Sequence, residues 1–299
     1  MGTRPSKEWA LYLCLVAIAS CASPQREADE VRAIVIPMEI VNRTPVVVVK
    51  VGEEEVPLQL DLGSGTTLTL FPQVFDRIDA QPTGEVHMSM GIEGVAMENP
   101  VFTVPLAMLG EAVFEDLEVR RDDHSEQHRA ETIAYRGTYG RVGRGLFDEG
   151  KLVVDYQNEL LTILPTNAAV EDQRACSGVE IPLEIDKESL GLTTKVNTDI
   201  GELYAVWDTG ARGNIMLKKT TDAAGLSLEA RDTFQTETFA MNGHDFGPVR
   251  MNVWDIPVLP PDLHTLLGYW FFADKIVCVD FPGKRLLIRT ATKPPQAGR

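Results

Sequence analysis

Apolar residues along this chain recur in short blocks rather than at helical spacing. Residues 34–40 (IVIPMEI), 45–52 (PVVVVKVG) and 56–63 (VPLQLDLG) are rich in Val, Ile and Leu and are interrupted by turn residues, a pattern that predicts strands. Helical periodicity is rare, and only 71–79 and 218–225 predict short helices. The pattern as a whole predicts an all-β chain.

The blocks also repeat. Residues 58–70 (LQLDLGSGTTLTL) and 203–217 (LYAVWDTGARGNIML) each run from apolar residues through Asp-x-Gly to a second apolar stretch, with Asp61 and Asp208 separated by 147 positions. Asp-x-Gly alone makes ordinary turns; two copies with similar flanks point to a duplicated unit. A second repeat supports this, since residues 143–164 align without gaps on 268–289, pairing Gly143 with Gly268, Asp155 with Asp280 and Ile163 with Ile288. The turns Gln157-Asn158 and Pro282-Gly283 fall at matching places between apolar strands. The Asp-to-Gly spacing is 82 residues in the first copy and 60 in the second, so the first holds 22 extra residues, most simply the polar stretch from Glu115 to about Thr138. The expected organisation is a first lobe at 32–165, a polar linker at 166–178, a second lobe at 179–292 and a tail at 293–299.

These motifs resemble those of the retropepsin-like and pepsin-like aspartic peptidases, over both copies and in order: apolar strand, Asp-x-Gly, flap hairpin, two apolar residues with Gly, closing hairpin. The resemblance implies two homologous acid-protease-like β-barrel lobes with a cleft between them, and Asp61 and Asp208 as the catalytic pair. Two nearby carboxylates resist ionising together and share one proton. The ionised member can then draw a proton from water while the protonated member donates to the developing oxyanion. Gly63 and Gly210 leave room for a sharp turn beside each Asp. By the same resemblance Thr209 bonds across to the opposite loop, and Ser64 is the hydroxyl that bonds Asp61. Ala211 offers Asp208 no such bond, so Asp61 is expected to be the more readily ionised member. Residues 90–95, with Gly91, Ile92 and Gly94, are the possible flap, and Asn242-Gly243 predicts a hairpin turn in the second copy. No flap Tyr is present, which places the chain nearer the retropepsin side.

The first copy departs from the family pattern twice. Leu62 stands where Thr or Ser is usual, and Arg141-Val142 replaces two apolar residues before Gly143. The departures keep an alternative open: a catalytically weak or inactive member of the fold that binds peptides or a partner. A further alternative pairs Asp208 with its twin in a homodimer.

Composition changes the picture at the amino terminus most. Arg4 and Lys7 precede a short apolar segment at 9–19, too short to span a bilayer but suited to a signal peptide. Ile18-Ala19-Ser20-Cys21 resembles the bacterial lipoprotein processing box, implying a signal at 1–20, acylation of Cys21 and a tether at 21–31. The residue after Cys21 is not Asp, which resembles lipoproteins sent to the outer membrane, here facing the periplasm; cleavage after Ala19 and a secreted or periplasmic protein is the alternative. The 44 acidic against 28 basic residues give a formal charge of −16, which disfavours nucleic-acid binding. An exported chain permits a disulfide between Cys176 and Cys278, although Cys278 in an apolar strand reads equally as a buried thiol. His124 and His128 lie in a run, 120–131, that reads as a solvated loop, and no spacing resembles a metal site. No cofactor is expected, because water is the nucleophile. The partner expected in the cleft is a peptide or protein substrate, and a two-lobed monomer is the expected assembly.

Overall fold

The computed structural model describes residues 32–90, 94, 96–186, 191–257 and 259–291. The Cys21 lipid site, the tail and the flap residues Gly91 and Ile92 lie outside the described residues. The fold is built almost wholly of strands in three sheets, two belonging to one copy each and one shared.

In the first copy, strand Glu54–Asp61 runs parallel to Gly140–Gly143, and Asp61 sits opposite Gly143. In the second, Gly201–Trp207 runs parallel to Thr265–Leu267, and Asp208 continues the pairing by donating its N–H to the Leu267 carbonyl (2.9 Å). Each catalytic candidate therefore emerges from the end of a central strand whose inward side chains are fully buried: Val56, Leu58 and Leu60 in one copy, Ala205 and Trp207 in the other. Burial of an apolar side chain on this scale contributes roughly 1.5–3 kcal/mol, so the strand ends are held on a stiff support.

The shared sheet has the order Ile34–Pro37, Leu160–Leu164, Lys151–Asp155, Lys275–Asp280, Arg285–Thr290, Val179–Pro182. Its central antiparallel pair sets Lys151 against Asp280, Val153 against Cys278 and Asp155 against Ile276. Val153 and Cys278 are themselves equivalent in the repeat, so the molecule's pseudo-two-fold axis passes between them. The hairpins on either side have the same register, with Asp155 and Asp280 each accepting a turn N–H, from Asn158 (3.0 Å) and Gly283 (3.0 Å). One hydrophobic core runs from Leu60 and Leu62 through Leu152 and Val277 to Trp207 and Phe271.

Two sequence expectations change. The run around His124 is a loop only over 122–125: Glu126–Arg136 is a helix, capped by the Ser125 hydroxyl, which accepts the His128 N–H (3.2 Å), and closed by Gly137 at φ 69°. Ser at the N-cap and Gly after the last turn are ordinary helix signals; the helix was hard to see because it buries no residue and so has no apolar stripe. The extra residues of the first copy are also not confined to 115–138. The offset between copies is 147 at the Asp residues, 133 at Arg121 and Trp254, and 125 at Gly143 and Gly268, so fourteen lie between the first Asp loop and Arg121 and eight beyond it. The larger share extends the hairpin of Gln81–Met90 and Ala96–Leu109. The linker carries a helical turn at Val170–Gln173, and of the two readings left open for Cys278 the structure has the Cys176–Cys278 disulfide, which closes 102 residues of chain onto the shared sheet.

Candidate active site

The two Asp loops meet face to face. A Cβ on Gly63 would lie 3.0 Å from both Cγ and Oδ1 of Asp208 and 3.2 Å from Oδ1 of Asp61. On Gly210 it would lie 3.0 Å from Oδ1 of Asp208 and 3.0 Å from Cγ of Asp61. Each carboxyl thus rests over the glycine of both loops, which explains why neither position carries a side chain. Asp61 and Asp208, remote in sequence, are brought together within one chain, with Gly63 and Gly210 beneath them.

Asp208 Oδ1 accepts the N–H groups of Gly210 (2.8 Å) and Ala211 (3.1 Å). These bonds favour its ionised form, but burial and then the neighbouring Asp61 charge prevail and push its pKa up to about 7. Burial and the Asp61 charge thus both favour the protonated form of Asp208.

Thr209 makes the cross-loop lock alone. Its hydroxyl accepts the Leu62 N–H (2.9 Å) and donates to the Leu60 carbonyl (2.8 Å), and it is fully buried. Leu62 returns nothing to the second loop; its side chain is fully buried in the core. Ser64 does not take the place expected of it, since its hydroxyl pairs with Thr66 Oγ1 (2.9 Å). Asp61 has a different neighbour, the guanidinium of Arg141, 3.7 Å from Oδ2. Arg141 also bonds Asp122 (3.1 Å), which in turn bonds His124 Nδ1 (2.6 Å). Burial pushes the Asp122 pKa up, but its bond to His124 and the Arg141 charge outweigh this and hold it well below the usual carboxylate range. At the tip of the long hairpin, Gly94 has φ 79°. In the second copy Asn242 (φ 47°) and Gly243 (φ 76°) form the two-residue turn between Phe239–Met241 and His244–Asp245.

Sequence reasoning missed two features. Arg136, at the end of the capped helix, bonds Gln59 Oε1, and Gln59 Nε2 lies 2.6 Å from where a Cβ on Gly210 would be. Nothing in the local sequence ties that helix to the site. Tyr156 is buried against Tyr269 and Phe272, and burial first, and then the Asp208 charge, drives its pKa far up. Its place just before the repeated turn could have flagged it, but the equivalent position holds Phe281 and carries no hydroxyl.

No family model and no curated protein matches this chain. Solved structures do. The chain is similar to an aspartic proteinase from Irpex lacteus, with a TM-score of 0.59 at 14% identity over 87% of this chain and 98% of that one. It is also similar to Basic 7S globulin from soybean, with a TM-score of 0.56 at 12% identity over 87% and 95% of the two chains. The fold is aspartic-protease-like. At such identities the likeness carries the two-lobed β architecture and no more.

Proposed function

We propose that this chain is an aspartic-type endopeptidase in which Asp61 and Asp208 activate a water for attack on a peptide carbonyl. The observation that carries this reading is the convergence of both carboxyls over Gly63 and Gly210, and burial of Asp208 beside the Asp61 charge favours a proton there. Ionised Asp61 takes a proton from the water as its oxygen bonds to the carbonyl carbon, and Asp208 gives its proton to the carbonyl oxygen. The resulting gem-diol collapses when a proton passes to the amide nitrogen, the C–N bond breaks, and an acid and an amine leave. Arg141 stands beside Asp61, so the negative charge of the pair sits next to a cation. The test is cleavage of an unfolded protein and a peptide library between about pH 3 and 7, by wild type and by Asp61→Asn and Asp208→Asn. Wild-type cleavage lost in both variants supports the reading; equal behaviour of all three refutes it.

One observation favours a second reading, a weak or inactive peptide-binding member of the fold. The cross-loop lock is one-sided, because Leu62 has no hydroxyl, and a loosened pair aligns water less well. The same assay separates the two, since a binding module holds peptides without cutting them. The processing-box resemblance at Cys21 supports an outer-membrane lipid anchor; Cys21→Ala is expected to release the protein from membranes and abolish labelling by a fatty-acid analogue.

A further inference from the structure

The cleft has a second chemical character beside the carboxyl pair. A cavity of about 580 Å³ opens next to Asp208. The first lobe contributes the Asn42–Arg43 turn and the helix end Tyr135–Arg136, and the second contributes the loop after Asp208 and the Trp270 ring. Its floor is apolar, from Ile215, Ile256 and Leu266. Among the described residues three arginines line it, Arg43, Arg136 and Arg212, and Asp208 is its one carboxyl. The chain carries 44 acidic residues against 28 basic ones, so arginines could readily be neutralised. Among the described residues, however, none of these three arginines stands in an ion pair, whereas Arg77, Arg120, Arg121, Arg141 and Arg285, all outside this cavity, do.

The cavity arginines are instead held on aromatic faces. Arg212 lies over Tyr135 (4.9 Å to the ring centroid) and Arg43 over Trp270 (5.9 Å), whose ring Arg250 also approaches (4.3 Å). Stacking fixes the plane of a guanidinium while leaving its N–H edge open to a partner. Arg136 differs, being bonded to Gln59 and facing both catalytic candidates. Burial and then the Arg212 charge lower its pKa, while the charges of Asp61 and Asp208 act in the opposite direction without prevailing. A planar N–H fork above an apolar floor recognises a carboxylate attached to a hydrocarbon stem.

We propose that this cavity binds a carboxylate of the substrate beside the bond to be cut, with Arg43 and Arg212 as its specificity-determining residues. The proposal rests on the peptidase reading for its role in cleavage, but the binding itself does not. Two sources share the chemistry: an acidic side chain within the peptide, or the free carboxyl terminus of a short peptide.

The test uses peptides matched except for Glu or Gln at each position from three before to three after the cleaved bond. All have amidated ends, and a parallel Gln set ends in the free acid. Wild type is expected to cleave the best Glu peptide with at least a tenfold higher kcat/KM than its Gln partner, and the ratio should fall as salt rises. In Arg43→Gln/Arg212→Gln the ratio should drop towards one, and Arg212→Glu should turn the preference towards Lys; thermal melting checks that both fold. A preference confined to the free-acid set assigns the carboxylate to the chain terminus. Equal rates for every matched pair, or a preference untouched by the double variant, overturns the proposal. The same labelled peptides are also bound to Asp208→Asn and followed by fluorescence anisotropy. Tighter binding of the Glu peptide with no cleavage by wild type refutes the peptidase reading and leaves the carboxylate site standing. Cleavage without any Glu–Gln difference in rate or binding does the reverse.

Discussion

The two Asp loops occupy equivalent places in the fold and are held in different ways. Asp208 is fastened by its own backbone, with two N–H groups on one oxygen, and is followed by a buried Thr209 that makes both bonds across the interface. Asp61 is followed by Leu62, a core residue, and leans on Arg141 from a neighbouring strand. One loop supplies the hydrogen-bonded lock; the other supplies apolar packing and a cation. Duplication has kept the position of each carboxyl and divided the supporting tasks between the copies.

The comparison can be broken hardest at the carboxyls. Asp61→Asn and Asp208→Asn should each lower kcat/KM by on the order of 10³-fold, the scale of a lost acid or base. The next effect separates the loops. Thr209→Val removes a bond to Leu62 N–H and one to the Leu60 carbonyl, leaving buried groups unpaired, and should cost roughly 2–4 kcal/mol in urea unfolding. Leu62→Val, a smaller apolar residue that keeps the loop's character, should cost about 1 kcal/mol. Comparable losses for the two would mean that the lock is not carried by Thr209.

A pH experiment distinguishes the carboxyls further. The folded pKa of Asp208 is raised from 3.8 to about 7, so the native state holds a proton that the unfolded chain has released. Stability is then present in full below about pH 4 and is drained as pH rises towards 7. Asp208→Asn removes that drain. Relative to wild type, the variant should gain stability between pH 4 and pH 7, by about 4 kcal/mol at most. A difference between variant and wild type that stays constant with pH would show that Asp208 does not hold the proton.

Much of the architecture was legible because it is written twice. Gly143 and Gly268 stand at equivalent places beside the two Asp strands, and the closing hairpins keep one register. Asp61 and Asp208 were legible for the same reason, as repeated short motifs on strand ends, whereas the bonds of Thr209, whose counterpart is Leu62, were implied by the family resemblance alone. What was not legible lies where the copies differ. The helix ending in Arg136 has no counterpart in the repeat and no buried face, so neither symmetry nor periodicity announced it. Ser64 was assigned to Asp61 by position alone, whereas Thr66, two residues on, is a nearer partner for its hydroxyl. The arginine-lined cavity depends on turns and a helix end that are far apart in sequence and meet only in three dimensions.

Arg141 offers the finest test of the division of labour. The equivalent position in the second copy is the apolar Leu266, and Arg141 joins Asp61 to the Asp122–His124 pair through contacts of 3.7 and 3.1 Å. If the cation stands in for the hydroxyl that Ser64 withholds, Arg141→Leu should leave the second loop untouched and make the negative form of the carboxyl pair harder to reach. The acid limb of the kcat/KM profile should then move to higher pH by about half a unit to one unit, as expected for loss of a partly exposed cation near 4 Å. The alkaline limb, governed by the proton on Asp208, should move much less. Arg141→Lys keeps the charge and should restore most of the acid limb, which a purely structural role for the guanidinium would not allow. An unmoved acid limb in Arg141→Leu would mean that the first loop holds its charge by solvent alone, and that the cation serves Asp122 instead.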